Sequence, residues 1–212
     1  MKTDDLIRAL AADREPAGPA PVAALALAAA GGLVLSVLLF VWLVPLRPQL
    51  GEAIRTFPFV LKPVEMGLLV IVSAIAVLRL AQPGAPVARV LTLVAAVPAI
   101  MIAAVAVELT QLPRAEWMVK LAGAHWYMCV FNMVLLSLPI LAALLIGLRF
   151  GAPTQPALAG AGAGLLAGAL AASVYIAHCP DDSQLFVAAW FTLAIAIATG
   201  IGAMAGPRIL RW

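Results

Sequence analysis

VAALALAAAGGLVLSVLLFVWLV, residues 22–44, decides the fold. It runs without one Asp, Glu, Lys, Arg or His. A helix crosses the hydrocarbon core of a bilayer with about 20 mostly apolar residues, so this stretch is long enough to span. REPAGPAP (14–21) precedes it and PLRP (45–48) closes it. Proline and glycine in these flanks punctuate the helix. A secretory signal has an apolar core of only roughly 7–15 residues, and the acidic, Pro-containing stretch upstream also fits a signal badly.

Five more apolar runs follow. The second covers Val64–Leu80, with Glu65 and Arg79 near its ends, and QPGAP breaks it. The third covers Val87–Val107 and contains Pro98. The fourth covers Leu121–Leu148, contains Pro139 and ends at RFGAPTQP. The fifth covers Ala157–His178 and ends at CPDDSQ, and the sixth covers Leu185–Ala205 before the tail GPRILRW. The runs are continuous rather than alternating, which excludes barrel strands. The predicted class is an all-α membrane protein. It is a six-transmembrane-helix bundle (22–206) with a short N-terminal amphipathic helix and Pro-rich hinge (1–21) and a C-terminal tail (207–212).

Composition agrees. Of 212 residues, 65% are hydrophobic and 11% charged, against roughly a quarter charged in soluble domains. A chain this short cannot bury so much apolar surface in its own core. A soluble enzyme, a disordered tail and a direct nucleic-acid binder are excluded, and the bilayer is the first partner. The formal charge of +3 is too small to indicate an anionic ligand. It bears on orientation instead. Lys2, Arg8, Arg14, Arg79, Arg89, Arg149, Arg208 and Arg211 fall on the side of the termini, and Arg47, Arg55, Lys62, Arg114 and Lys120 on the other. Eight against five places both termini in the cytoplasm. Trp42, Trp117, Trp126 and Trp190 then lie near the outer interface.

The midplanes read as free of ionisable groups, because Glu65, Arg79, Arg89 and Glu108 all sit near helix ends. That weighs against a pump or a metal transporter. No Ser/His/Asp set, HExxH or phosphate loop is present in the sequence, so the chain does not read as an enzyme. Gly160, Gly164 and Gly168 recur every four residues. Such a small-residue face lets another backbone approach, either within the bundle or in a homo-oligomer.

Cys129 and Cys179 are the two cysteines. One opens the fourth helix and the other follows the fifth, so both face the same side. His125 precedes Cys129 by one turn, and His178 adjoins Cys179. Two thiols and two imidazoles at one depth could hold a transition or heavy-metal ion. The thiols could instead form a disulfide in an oxidising compartment, or act simply as small buried hydrophobes. No cofactor is certain. Without CxxC spacing, a thiol–disulfide oxidoreductase or quinone-coupled enzyme is the lesser reading.

The N-terminus, MKTDDLIRALAADRE, begins with Thr3 as N-cap, and Asp4 and Asp5 complement the helix start. Leu6, Ile7 and Leu10 form an apolar stripe. About twelve residues are marginal as an isolated helix in water. Residues 1–15 carry three basic and four acidic side chains. A net negative segment suits a protein groove better than an anionic lipid surface.

MKTDDLIRALAAD, the single Cys of the fourth helix, RFGAPTQPALAG, YIAHCPDDSQLFVAAW and the closing RILRW together resemble the NrsF family across essentially the whole chain. That family comprises six-helix inner-membrane proteins of proteobacteria acting as anti-sigma factors. The resemblance implies an extracytoplasmic-function sigma factor as partner, held through the cytoplasmic N-terminal segment. It also implies two periplasmic cysteines, matching Cys129 and Cys179, that respond to metal or oxidative stress. One departure is that REPAGPAP carries a single Arg where more basic residues are expected, so the cytoplasmic placement leans on the second and fourth loops and the C-tail.

Overall fold

The computed structural model describes residues 3–12, 20–48, 50–84 and 87–211; the side chains of Leu6, Ala9, Leu10, Ala11, Ala12, Val87, Val90, Leu91 and Leu93 lie outside that description. Among the described residues there are helices and turns but no strands. α1 is Thr3–Ala12 and α2 Pro21–Leu43. A short α3 (Leu50–Ala53) leads into α4 (Phe57–Leu80), followed by α5 (Val87–Gln111). α6 (Trp117–Ala122), α7 (Trp126–Leu148) and α8 (Pro156–Tyr175) come next, and α9 closes the chain over Gln184–Ile209. Six of these, α2, α4, α5, α7, α8 and α9, are long and apolar enough to cross a membrane. The chain is a multi-pass membrane protein.

Each spanning helix starts where proline can be accommodated or the chain turns. Pro21, Pro58 and Pro156 occupy the first turns of α2, α4 and α8, where the missing N–H costs nothing. This corrects the second run. α4 starts at Phe57 with Pro58 in its first turn, and Pro63 lies inside it. The helix therefore begins seven residues earlier than hydropathy marks it. Lys62 and Glu65 fall within it, 0% and 1% exposed. Neither Glu65 oxygen has a hydrogen-bond partner among the described residues. Both lie in the first half of α4, Lys62 about one and a half turns and Glu65 about two turns from its start, so the charged groups of this helix stay on the side of its beginning.

The fourth run is corrected as well. It divides into α6 and α7 at Gly123, whose φ of +58° is left-handed. A Cβ there would also collide with the Phe186 ring, so glycine is required on both counts. The last helix runs on through Pro207 to Ile209, three residues into the expected tail, and carries a π turn at Val187–Phe191.

α8 is the most buried span and α5 the least. α9 packs along α8, α2 along α7, and α4 along α8, with α5 on the outside of α4. The Gly160, Gly164 and Gly168 face turns inward onto α9, not outward to a second copy. A Cβ on Gly164 would fall 2.7 Å from Thr199 Cα, and one on Gly206 would fall 3.1 Å from Gly160 Cα. Without side chains between them, the two backbones meet directly, which is how apolar helices associate in lipid.

Because the spans alternate, the ends of α2, α5 and α8 share one end of the bundle with the starts of α4, α7 and α9. At the opposite end, the Ala152 amide donates to the Ala81 carbonyl at 3.0 Å. That bond ties the turn after α4 to the turn after α7.

A matched pair of substitutions tests the α8–α9 contact. Gly164→Ala should destabilise the bundle by about 1–3 kcal/mol through overpacking. Gly200→Ala, whose Cβ meets nothing within 4 Å, should stabilise α9 by roughly 0.5–1 kcal/mol. Unfolding in mixed micelles, followed by circular dichroism, should show shifts of opposite sign.

Candidate functional site: a thiol pair at one end of the bundle

Cys129 stands in the first turn of α7, where its amide donates to the His125 carbonyl at 3.2 Å. Cys179 follows α8, whose end is closed by amides of His178 and Cys179 donating to the Tyr175 carbonyl. Pro180 then prevents helix from resuming. Both cysteines are buried, at 2% and 1% exposure, and both thiols are free. They border the same cavity, close enough for the Cys129 thiol to act directly on Cys179. The Cys129 Sγ donates to Met133 Sδ at 3.8 Å, and the Cys179 Sγ to the Asp181 carbonyl at 3.7 Å. The Cys129 thiol holds Cys179 below the ordinary thiol range, and the Lys62 ammonium and the Asp181 peptide pull the same way against the effect of burial. A cavity of about 450 Å³ opens beside the pair, with His125, Tyr127, Met128 and His178 among its walls.

The histidines do not complete a metal site. His125 is the N-cap of α7 and exposed, at the rim of the cavity that buried Cys129 also lines. The His178 Nδ1 donates to the Pro45 carbonyl at 2.6 Å, which anchors the ring to the end of α2. Among the described residues, no three His, Cys, Asp or Glu side chains are grouped to hold an ion. The four candidate ligands His125, Cys129, His178 and Cys179 border one cavity without forming such a group.

The comparisons with known proteins cover the same ground. The chain matches the family described as "NrsF: Negative regulator of sigma F" over residues 10–212. It is 40% identical to "Anti-sigma-F factor NrsF" of Caulobacter vibrioides (strain NA1000 / CB15N), over the whole of both chains. It is 38% identical to "Probable anti-sigma-F factor NrsF" of Azospira oryzae (strain ATCC BAA-33 / DSM 13638 / PS), again over the whole of both. The chain belongs to the NrsF family. No solved structure matches it significantly.

In this NrsF-family chain the thiols rest on an ionic frame that the sequence did not announce. Asp182 accepts from Arg47 Nη1 at 3.1 and 3.0 Å and from Lys62 Nζ at 2.8 Å. Lys62 also donates to the Asp181 carbonyl, and Arg47 to the Cys179 carbonyl at 3.3 Å. Two segments distant in sequence, the PLRP turn and the start of α4, thus grip the loop that carries Cys179. On its other flank, Glu108 Oε2 accepts the Leu185 amide at 2.9 Å at the start of α9. Trp190 stacks on Trp126 at 4.3 Å and donates to the Leu121 carbonyl at 2.7 Å. Asp181 and Asp182 were visible beside Cys179, but nothing local in the sequence marks Arg47 and Lys62 as their partners. The placement of Lys62 within α4 would have been the one clue.

Of the other predicted residues, Asp4, Asp5 and Ile7 lie on α1 and are exposed. The side chains of Leu6 and Leu10 are outside the described residues.

The thiol geometry gives a direct expectation. Diamide should convert the protein to a monomer with one internal disulfide, seen as a mass loss of about 2 Da and faster non-reducing migration. Cys129→Ser or Cys179→Ser should abolish that species. Oxidation only to crosslinked dimers would contradict side-by-side placement.

Proposed function

We propose that this chain is an inner-membrane anti-sigma factor. It holds an extracytoplasmic-function sigma factor at the cytoplasmic face and releases it when the Cys129–Cys179 pair, facing the periplasm, is oxidised. The likeness to anti-sigma relatives over the whole chain supports the class. Orientation rests on the Lys/Arg bias. The observation that carries the trigger is the pair of buried, free thiols side by side, because two adjacent thiols need no third ligand to become a disulfide. For the same reason oxidation is favoured over metal ligation as the stimulus.

The output is read at the other end. α4 touches both: Lys62 sits in the frame around Cys179, and the Ala81 carbonyl, just past its last turn, holds Ala152. A disulfide that displaces Cys179 changes the partners of Lys62 and so biases the α4–α5 and α7–α8 turns. The bundle then has two packings, and the sigma factor binds one of them.

The grip on the sigma factor is assigned to α1, with Leu6, Ile7 and Leu10 as the contact stripe and Asp4 and Asp5 at its head. Ile7 is 58% exposed, available to a partner. Burying a leucine side chain contributes about 1.5–3 kcal/mol. Leu6→Ala combined with Leu10→Ala should therefore weaken binding about a hundredfold or more. Co-purification with the sigma factor encoded by a neighbouring gene should fall accordingly while the membrane abundance of the variant stays normal. Undiminished retention would move the grip to the turns around Arg79–Arg89 and Arg149–Pro156. Failure of the unaltered chain to retain any sigma factor would remove the anti-sigma reading.

A further inference from the structure

We propose that Cys179 is the thiol that meets the oxidant first, that Lys62 is its positioning residue, and that Cys129 resolves the product into a disulfide. This deepens the oxidant-sensing reading above and rests on it.

The two cysteines differ in what surrounds them. Cys129 is set in α7 with its Sγ turned to the Met133 thioether, a neutral partner. Cys179 lies in the loop, and its Sγ shares an acceptor with a cation: the Asp181 carbonyl takes both the Cys179 thiol and the Lys62 ammonium. Lys62 is wholly buried, so its charge acts with little solvent screening. When Cys179 gives up its proton, the carbonyl is left to Lys62, and the new anion lies in the field of that ammonium.

The remaining charged and titratable groups do not cancel this asymmetry. Arg47 reaches the Cys179 carbonyl and Asp182 from the segment after α2. Asp182 is divided between Arg47 and Lys62. The Asp181 carboxylate is turned toward the Ala124 amide at 3.5 Å. Tyr175 of α8 borders the same cavity, as do His125 and His178. The direction of the Cys179 shift, downward under the influence of Cys129 and then Lys62, agrees with the geometry.

The oxidant is a small hydroperoxide, admitted by the cavity beside the pair. The Cys179 thiolate attacks the terminal peroxide oxygen. The O–O bond breaks, the alkoxide takes a proton and leaves as the alcohol, and Cys179 becomes a sulfenic acid. The Cys129 sulfur then attacks the Cys179 sulfur. The S–O bond breaks, hydroxide leaves with the Cys129 proton as water, and the disulfide forms. Two thiols and one hydroperoxide give one disulfide, one alcohol and one water, with two electrons passing from sulfur to oxygen.

The test uses the full chain in lipid nanodiscs without any sigma factor. In a Cys129→Ser background the one remaining thiol is Cys179, and its iodoacetamide alkylation is followed against pH. Since the thiolate reacts, a thiol held low begins to react at lower pH. Adding Lys62→Met should move the profile to higher pH and slow alkylation at neutral pH on the order of tenfold. Lys62→Arg should restore most of the rate. Asp182→Asn should move the profile the opposite way, because it leaves the Lys62 charge uncompensated, and loss of fold would not imitate an ordered shift to lower pH. Hydrogen peroxide with dimedone should label Cys179 in Cys129→Ser faster than it labels Cys129 in Cys179→Ser. The proposal is overturned by an unmoved profile in folded Lys62→Met, by a shift to higher pH in Asp182→Asn, or by faster dimedone labelling of Cys129. Each result leaves sigma-factor binding, measured separately, as an independent question.

Discussion

Asp182 answers two cations at once, and one of them, Lys62, has no contact with solvent. An ammonium in a low-dielectric surround is tolerated only when paired and hydrogen-bonded. Removing one partner of such a pair typically costs about 3–5 kcal/mol. The 180–183 loop therefore cannot drift from α4 without stranding a buried charge. Cys179, at the head of that loop, inherits the constraint. So does the PLRP turn, which joins through Arg47 and through the bond from His178 to Pro45. Cys179 is thus held from two sides, by α4 and by the PLRP turn, through residues that carry no sulfur.

The membrane architecture was legible because hydropathy over 18 or more residues is a strong signal. All six spans were found, and the positions of Cys129 and Cys179 at one end follow from their count. What stayed hidden was local or long-range in a way that periodicity does not encode. Hydropathy opens the second run at Val64, past Lys62, whereas α4 begins at Phe57 with Pro58 in its first turn. The His125–Cys129 spacing read as one turn of helix, but Gly123 breaks the chain just ahead and leaves His125 as a cap with its ring outside. The glycine face of α8 was visible as a face. That it is spent on Gly202 and Gly206 of α9 depends on which helices neighbour each other, which a single sequence does not state.

Glycine contact and charge pairing divide the labour. The α8–α9 seam brings backbones together through Gly164 and Gly206 and makes a rigid spine. α4 packs on α8 and carries Lys62 at the thiol end and Ala81 beyond its last turn. An element anchored to a rigid neighbour, but held at one end by a frame that depends on Cys179, is suited to report a small chemical change at a distance. Packed interfaces of this kind switch between discrete arrangements more readily than they deform. The π turn in α9 lies at the same end, where Trp190 stacks on Trp126 of α7 and donates to Leu121 of α6 while Phe191 meets the Tyr175 ring of α8, and π turns recur where helices accommodate functional sites.

The central claim is that oxidation of Cys129 and Cys179 lowers affinity for a sigma factor at the opposite face. It is tested most directly by titrating the sigma factor onto nanodisc-embedded protein, first fully reduced and then with the internal disulfide confirmed by mass. The account predicts binding at least about tenfold weaker to the disulfide form, equivalent to about 1.4 kcal/mol, restored by dithiothreitol and absent as an effect in Cys129→Ser. Equal affinity of the reduced and disulfide forms would contradict it.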